Sequence, residues 1–280
     1  MINLKDVKKH YGDFSLDCTM SVSAGSVTGL IGPNKSGKTT IFKAILNLIN
    51  IEDGQIQIFS EGHYENSLLK KNDIGVFFKD SGFSENLSVK KIANILDGFY
   101  EDFQREKFLE QCKAMDFPLN KKIEGFSREM KVKLHIVIAM SYNPQLLLLD
   151  EPLDGLDAVS CSEVLHLLSS FMESGQKSII VSSQSAADIE SICNDIYLIN
   201  QGKIIFHEFI NNIRNHYSIL RLDNEQFRNI NKEFLMKISR ENYGFVCLTN
   251  EKGFYEKNYK DIIIEQCSVD MILNMLGGDF

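Results

Sequence analysis

Two hydrophobic periods alternate along this chain. Ile2 to Lys9 and Phe14 to Val22 place apolar and polar residues in turn, as half-buried strands do, around a turn at Tyr11-Gly12-Asp13. Short apolar runs follow at Val27–Ile31, Asp73–Phe78, Leu146–Leu149 and Ser178–Ser182. The four leucines are too few for a helix and read as a strand buried on both faces of a parallel sheet. Asp53-Gly54 turns the chain into a further strand, Gln55–Phe59. Helical spacing occupies Ile41–Leu48, Ser88 to about Met115, Ser127–Tyr142 and Val159–Phe171. Asp195–Ile199 and Lys203–Phe206 flank Asn200-Gln201-Gly202, a hairpin signal. Helices alternating with buried strands predict an α/β fold with a mainly parallel sheet. The two leading strands add an antiparallel β-layer, and the stretch from about 80 to 130 adds a helical insert. Beyond His216 the pattern changes to short strands at Tyr217–Leu222, Phe245–Leu248 and Asp261–Ile264, then a helix at Val269–Leu276. The expected division is a main domain at 1–215 and a small α+β appendix at 216–280.

Between the strand at Val27–Ile31 and the helix that follows lies Gly32-Pro33-Asn34-Lys35-Ser36-Gly37-Lys38-Thr39-Thr40, which fits G-x-x-x-x-G-K-[ST]. A strand, a glycine turn and a helix start make a nest of backbone N–H groups at a positive helix end, which favours a polyphosphate. Lys38 would reach the β- and γ-phosphates and Thr39 would put its hydroxyl on Mg²⁺. The leucine strand ends in Asp150-Glu151, at the carboxyl edge where open α/β sheets bind ligands. In a phosphate-loop protein Asp150 would hold the Mg²⁺ water shell and Glu151 would polarise the attacking water. Tyr11 has two readings, an aromatic face stacked on adenine or a turn tyrosine half-packed on the sheet, and its position alone leaves both open.

Composition narrows the partners. The net charge of −8 argues against a general DNA or RNA binder, which would carry a basic footprint. The six cysteines include no C-x-x-C pair, so neither a zinc site nor a redox motif is signalled. The first residues do not read as a signal peptide, and no stretch approaches 18 uninterrupted apolar residues, so any membrane role must come through a partner.

Taken together and in order, these residues resemble the ATP-binding subunit of ABC transporters over about the first 210 residues. Phe126-Ser127-Arg128-Glu129-Met130 falls at the family signature, and Asp154-Gly155-Leu156-Asp157 matches the loop after the acidic strand. The run from Ser127 to Asp157 most resembles bacterial ABC-2-type exporter ATPases, and the tail is similar to that of the YtrB-like branch. The resemblance implies Mg-ATP held between two such domains, as a homodimer or a heterodimer with a second ATP-binding subunit. Tyr11 would stack on adenine, and Ser127 would contact the γ-phosphate from across the interface. It further implies a membrane-spanning transporter subunit driven by dimer closure, docked in a groove of the helical insert. The subunit would be cytoplasmic, peripheral on the inner face of the bacterial cell membrane.

Four positions depart from the family pattern. Lys35 stands where a glycine is usual, a change that binding should survive. Lys79 replaces the glutamine that senses Mg²⁺, and an ammonium cannot ligate a cation, although Asp80 would serve if the loop shifted by one residue. Glu129 replaces a signature glycine and adds bulk and negative charge. Gln184 replaces the histidine that clasps the γ-phosphate; it still donates a hydrogen bond, without the charge. Glu151 and Gln184 are thus the candidate catalytic pair, with slow intrinsic hydrolysis expected. Two alternatives stand beside this reading: a nucleotide-dependent regulator, and a soluble ATPase of the same family without transport.

Overall fold

The computed structural model describes residues 1–59, 73–79, 82–101, 103–173, 175–242 and 244–277. Strands β1 (Ile2–Tyr11) and β2 (Phe14–Val22) pair antiparallel, with a bulge between Leu4 and Val7. In β2 the alternating Leu16, Cys18, Met20 and Val22 are buried. Strand β4 (Asp53–Ile58) pairs with the other edge of β1. The centre is parallel: β5 (Ile74–Phe78), β6 (Leu146–Asp150), β7 (Ser178–Ser183), β3 (Val27–Ile31) and β8 (Asp195–Asn200) lie side by side. Strand β9 (Lys203–Phe209) joins this block to β2, giving among the described residues the nine-stranded order β4-β1-β2-β9-β8-β3-β7-β6-β5.

Period two along each central strand feeds two cores. Leu146 and Leu148 face a cluster with Ile41, Phe42 and Ile45 of α1 (Lys38–Ile45) and the inward residues of β1 and β2. Leu147 and Leu149 face the opposite cluster, with Val164, Leu168 and Phe171 of α5 (Ala158–Met172). Each fully buried leucine contributes roughly 1.5–3 kcal/mol, so this one strand is a major stabiliser of both layers.

Helix α1 stops short of the expected Leu48. Asn47 takes a left-handed φ of 53°, Leu48 N–H donates back to the Lys43 carbonyl at 2.8 Å, and Leu48 is 63% exposed. This is a left-handed helix cap, which satisfies the last carbonyls and ends the helix whatever the apolar spacing. The expected long helical stretch after Ser88 is likewise two helices, α2 (Val89–Phe99) and α3 (Arg105–Ala114). They pack on Leu134, Val137 and Ile138 of α4 (Arg128–Met140), whose Ile136 and Ala139 face the main core. One helix therefore ties the helical arm to the sheet.

After β9 come α6 (Ile210–His216), β10 (Ser218–Leu222), α7 (Asn224–Asn229), β11 (Leu235–Glu241), β12 (Gly244–Thr249), α8 (Lys252–Asn258), β13 (Ile263–Gln266) and α9 (Val269–Gly277). Its strands form a separate antiparallel sheet in the order β11-β12-β10-β13. One face carries Leu220, Leu222 and Cys247 onto Tyr255 of α8. On the other, Ile219 and Leu248 meet Val269, Ile272 and Leu273 of α9 within the cluster that also holds Leu147 and Val181. Among the described residues no helix is long and apolar enough to cross a membrane.

Candidate functional site

The loop between β3 and α1 is shaped by what surrounds it. A side chain at Gly32 would lie 2.1 Å from the Ile199 carbonyl, so only glycine fits against β8. Gly37 has φ of 116°, a conformation that strains any other residue, and a side chain there would begin 3.1 Å from the Phe14 ring. Lys35 also sits in the left-handed region, at φ 64°. A glycine would adopt that conformation without cost, whereas a lysine there costs about 1–2 kcal/mol. The departure at Lys35 therefore carries a backbone cost, and its side chain is exposed. Asn34 is exposed and Pro33 half-buried, while Thr40 lies in the first turn of α1.

Lys38 is only 4% exposed in its side chain. Its ammonium donates to the carbonyls of Gly32 at 2.7 Å and Pro33 at 3.0 Å, and pairs with Glu151 Oε1 at 3.0 Å. Beside it, Ser36 Oγ is buried with no hydrogen-bond partner. An orphaned buried hydroxyl is costly unless a ligand completes it.

The acidic strand end closes on this loop. Thr39 Oγ1 donates to Asp150 Oδ2 at 2.6 Å. Ser182 Oγ donates to Asp150 Oδ1 at 2.7 Å, and it accepts the Glu151 N–H at 2.9 Å. Gln184 Nε2 donates to Glu151 Oε2 at 3.0 Å. Lys38, Thr39, Asp150, Glu151 and Gln184 thus converge from the ends of three adjacent parallel strands. Ser182 belongs to the same network and was not anticipated. Its signal was a serine following the apolar run Ile179–Val181 of a buried strand.

Tyr11 and Ser127 stand apart from this cluster. Tyr11 is 45% exposed, with the Lys9 ammonium 5.2 Å from its ring centre, and it pairs across the hairpin with Phe14, the ring that touches Gly37. Ser127 caps α4, accepting the Met130 N–H at 3.2 Å. Glu129, in the first turn of that helix, is held below the usual carboxylate range by its own N–H and the Ser127 hydroxyl. Lys79 pairs with Asp154, raising the Lys79 pKa and lowering that of Asp154. Arg128 reaches the same residue, donating to the Asp154 carbonyl at 2.7 Å. Gly155 leaves space for that guanidinium. Asp80 lies outside the described residues. Between the strand ends and the helical arm is an open cavity of about 740 Å³, lined in part by Phe77, Phe83, Arg128, His135 and Glu151.

A nine-stranded sheet with a phosphate loop, and acidic residues ending the strand two places away, defines a P-loop nucleoside triphosphatase. Comparison with known proteins refines that class. Residues 16–154 match the ABC transporter family model. The chain is 31% identical over 210 residues to the bacitracin transport ATP-binding protein BcrA of Bacillus licheniformis, covering 73% of this chain and 68% of that protein. It is 29% identical over 206 residues to the ABC transporter ATP-binding protein YtrB of Bacillus subtilis, covering 73% and 70%. A solved ATP-binding cassette, in a dimeric post-hydrolysis state bound to ADP and phosphate, superposes with a TM-score of 0.65 at 21% identity, covering 75% of this chain and 99% of that one. The chain belongs to the ATP-binding proteins of the ABC transporter family. Members of this family bind and hydrolyse ATP to drive transport, working with membrane components.

Proposed function

We propose that this chain binds Mg-ATP at the loop from Gly32 to Thr40 and that Glu151 is the carboxylate that activates the attacking water. The observation that carries this reading is the Lys38–Glu151 ion pair at 3.0 Å beside the orphaned Ser36 hydroxyl. A buried ammonium held by two carbonyls and one carboxylate is a cation poised for a stronger anion. A triphosphate entering the nest replaces Glu151 as the partner of Lys38 and releases the carboxylate to act as a base. Gln184 then keeps Glu151 oriented through its amide hydrogen bond. Thr39 and Asp150 are an oxygen donor pair suited to a hard cation, and bound Mg²⁺ would supply charge neutralisation on the β- and γ-phosphates. Tyr11 is assigned the adenine face, supported by its exposure.

In the same reading residues 1–215 are the ATPase unit, 216–280 the appendix, and the arm near 80–130 the docking face for the membrane subunit. Two chains close on two nucleotides, each offering Ser127 to its partner's ATP. Lys79 and Gln184 act on the nucleotide held by their own loop, whereas Glu129 acts on the one across the interface. A homodimer places every departure in both sites, and a heterodimer divides them. The working location is the inner face of the cell membrane, and the relatives named for transport support an exporter.

A second reading, ATP binding without useful turnover, is favoured by Lys79, which is engaged by Asp154 rather than free for the nucleotide. Reconstitution with the membrane partner separates the two. Slow turnover by the purified chain and a clear rise in the complex are expected for an exporter subunit. Turnover at the same low level in both would leave the regulator as the better account.

A further inference from the structure

The C-terminal helix α9 is built into the site. Its Asp270 carboxylate accepts the N–H of Ala186 at 2.8 Å through Oδ1 and the N–H of Ala187 at 3.2 Å through Oδ2. Those amides lie two and three residues beyond Gln184, in the loop that leaves β7. The contact spans more than eighty positions of sequence. Around it, Val269, Ile272 and Leu273 are buried with Ala186 and Ile189, so the helix cannot slide without opening the core. The far end of α9 is also tied down. Asn200 Nδ2 donates to the Gly277 carbonyl at 2.8 Å, and the same hairpin donates from Gly202 N–H to the Ser36 carbonyl of the phosphate loop at 2.8 Å. The helix therefore bridges the loop that carries Gln184 and the hairpin that abuts the nucleotide nest.

We propose that Asp270 is a positioning residue for Gln184, through which the C-terminal segment sets the orientation of Glu151. The proposal rests on the assignment of Glu151 and Gln184 above. The carboxylate fixes two amides just after Gln184, and the Gln184 amide in turn holds Glu151 Oε2 at 3.0 Å. Charge-assisted hydrogen bonds to backbone N–H groups are among the stronger protein hydrogen bonds, so this anchor suits a catalytic loop that must not drift. A displacement of about 1 Å in a positioned group can lower a rate by about a hundredfold.

The test uses the full chain and single-turnover hydrolysis of bound ATP, with thermal midpoint and ATP affinity measured alongside. Asp270→Ala should slow the hydrolytic step roughly ten- to a hundredfold while leaving ATP affinity within about twofold. Asp270→Asn, which keeps one acceptor, should fall between the two. In a Gln184→Ala background the Asp270→Ala change should cost no more than about twofold, because two residues acting in series are not additive. Hydrolysis unaffected by Asp270→Ala, or slowed equally with and without Gln184, would overturn the proposal. If Gln184→Ala alone left hydrolysis unchanged, the site assignment itself would fail, and the proposal with it.

Discussion

At the scale of single residues, the site is a set of satisfied pairs with one vacancy of bonding. Each carboxylate oxygen of Asp150 and Glu151 has a donor from the chain, and Ser36 Oγ has no partner. The loop residues were legible because a phosphate nest demands glycines and a lysine at fixed spacing. Ser182 was not, because a serine after the apolar run of a buried strand has many meanings until its partner strand is known. It now has two bonds to lose. Ser182→Ala leaves an Asp150 oxygen and the Glu151 N–H without this partner, which should destabilise the protein by about 1–3 kcal/mol. Calorimetry would register this as a fall of about 2–4 °C in Tm per kcal/mol for a chain of this size. A Tm within error of the parent would remove Ser182 from the network. The role of Lys79 was half legible. Its inability to ligate a cation follows from its chemistry, but its partner Asp154 is distant in sequence and comes close only through the fold.

At the scale of elements, buried parallel strands announce themselves, and exposed ones do not. Strand β6 was readable because four apolar residues between turn signals leave no other choice. Strand β11 (Leu235–Glu241) was missed because it is an edge strand whose residues are mostly exposed, so neither period two nor an apolar run marks it. Helices α6, α7 and α8 were missed for their length, since six or seven residues hold too few turns to show a period. Helix α4 carries a consequence for pH. Its His135 lines the cavity beside Phe77 and Phe83. Burial, and then the Lys131 charge, hold its imidazole below the ordinary value of 6.5, with Glu85 opposing. A histidine whose folded pKa is depressed contributes its full stability above the unfolded value and loses it as pH falls below about 6.5. Urea midpoints measured down to about pH 5.5 should therefore decline less steeply in His135→Gln than in the parent. Parallel slopes would mean that His135 is not the group being protonated.

For the whole molecule, the architecture joins what the sequence pattern separates. The first strand of a second sheet, β10, begins at Ser218. The apolar surface nevertheless runs continuously from Leu147 and Val181 to Ile219, Leu248 and α9. Such continuity depends on long-range packing and leaves no local mark. The departures from the family pattern likewise gain meaning only in place. Lys35 is a conformational cost on an exposed turn, Lys79 and Arg128 hold Asp154 between strand and arm, and Gln184 has Glu151 as its partner. Lys79 and Gln184 take Asp154 and Glu151 as partners, outside the loop from Gly32 to Thr40. ATP capture should thus be intact while hydrolysis depends on one carboxylate. Steady-state ATP turnover and ATP-dependent dimerisation of Glu151→Gln against the parent test this most directly. Turnover should fall by roughly 10²–10⁴, the usual contribution of a general base. ATP affinity should hold or rise, because the anion competing for Lys38 is gone, and the ATP-bound dimer should accumulate. Turnover equal to that of the parent would contradict the assignment of Glu151, and loss of ATP binding would contradict the replacement of Glu151 by triphosphate at Lys38.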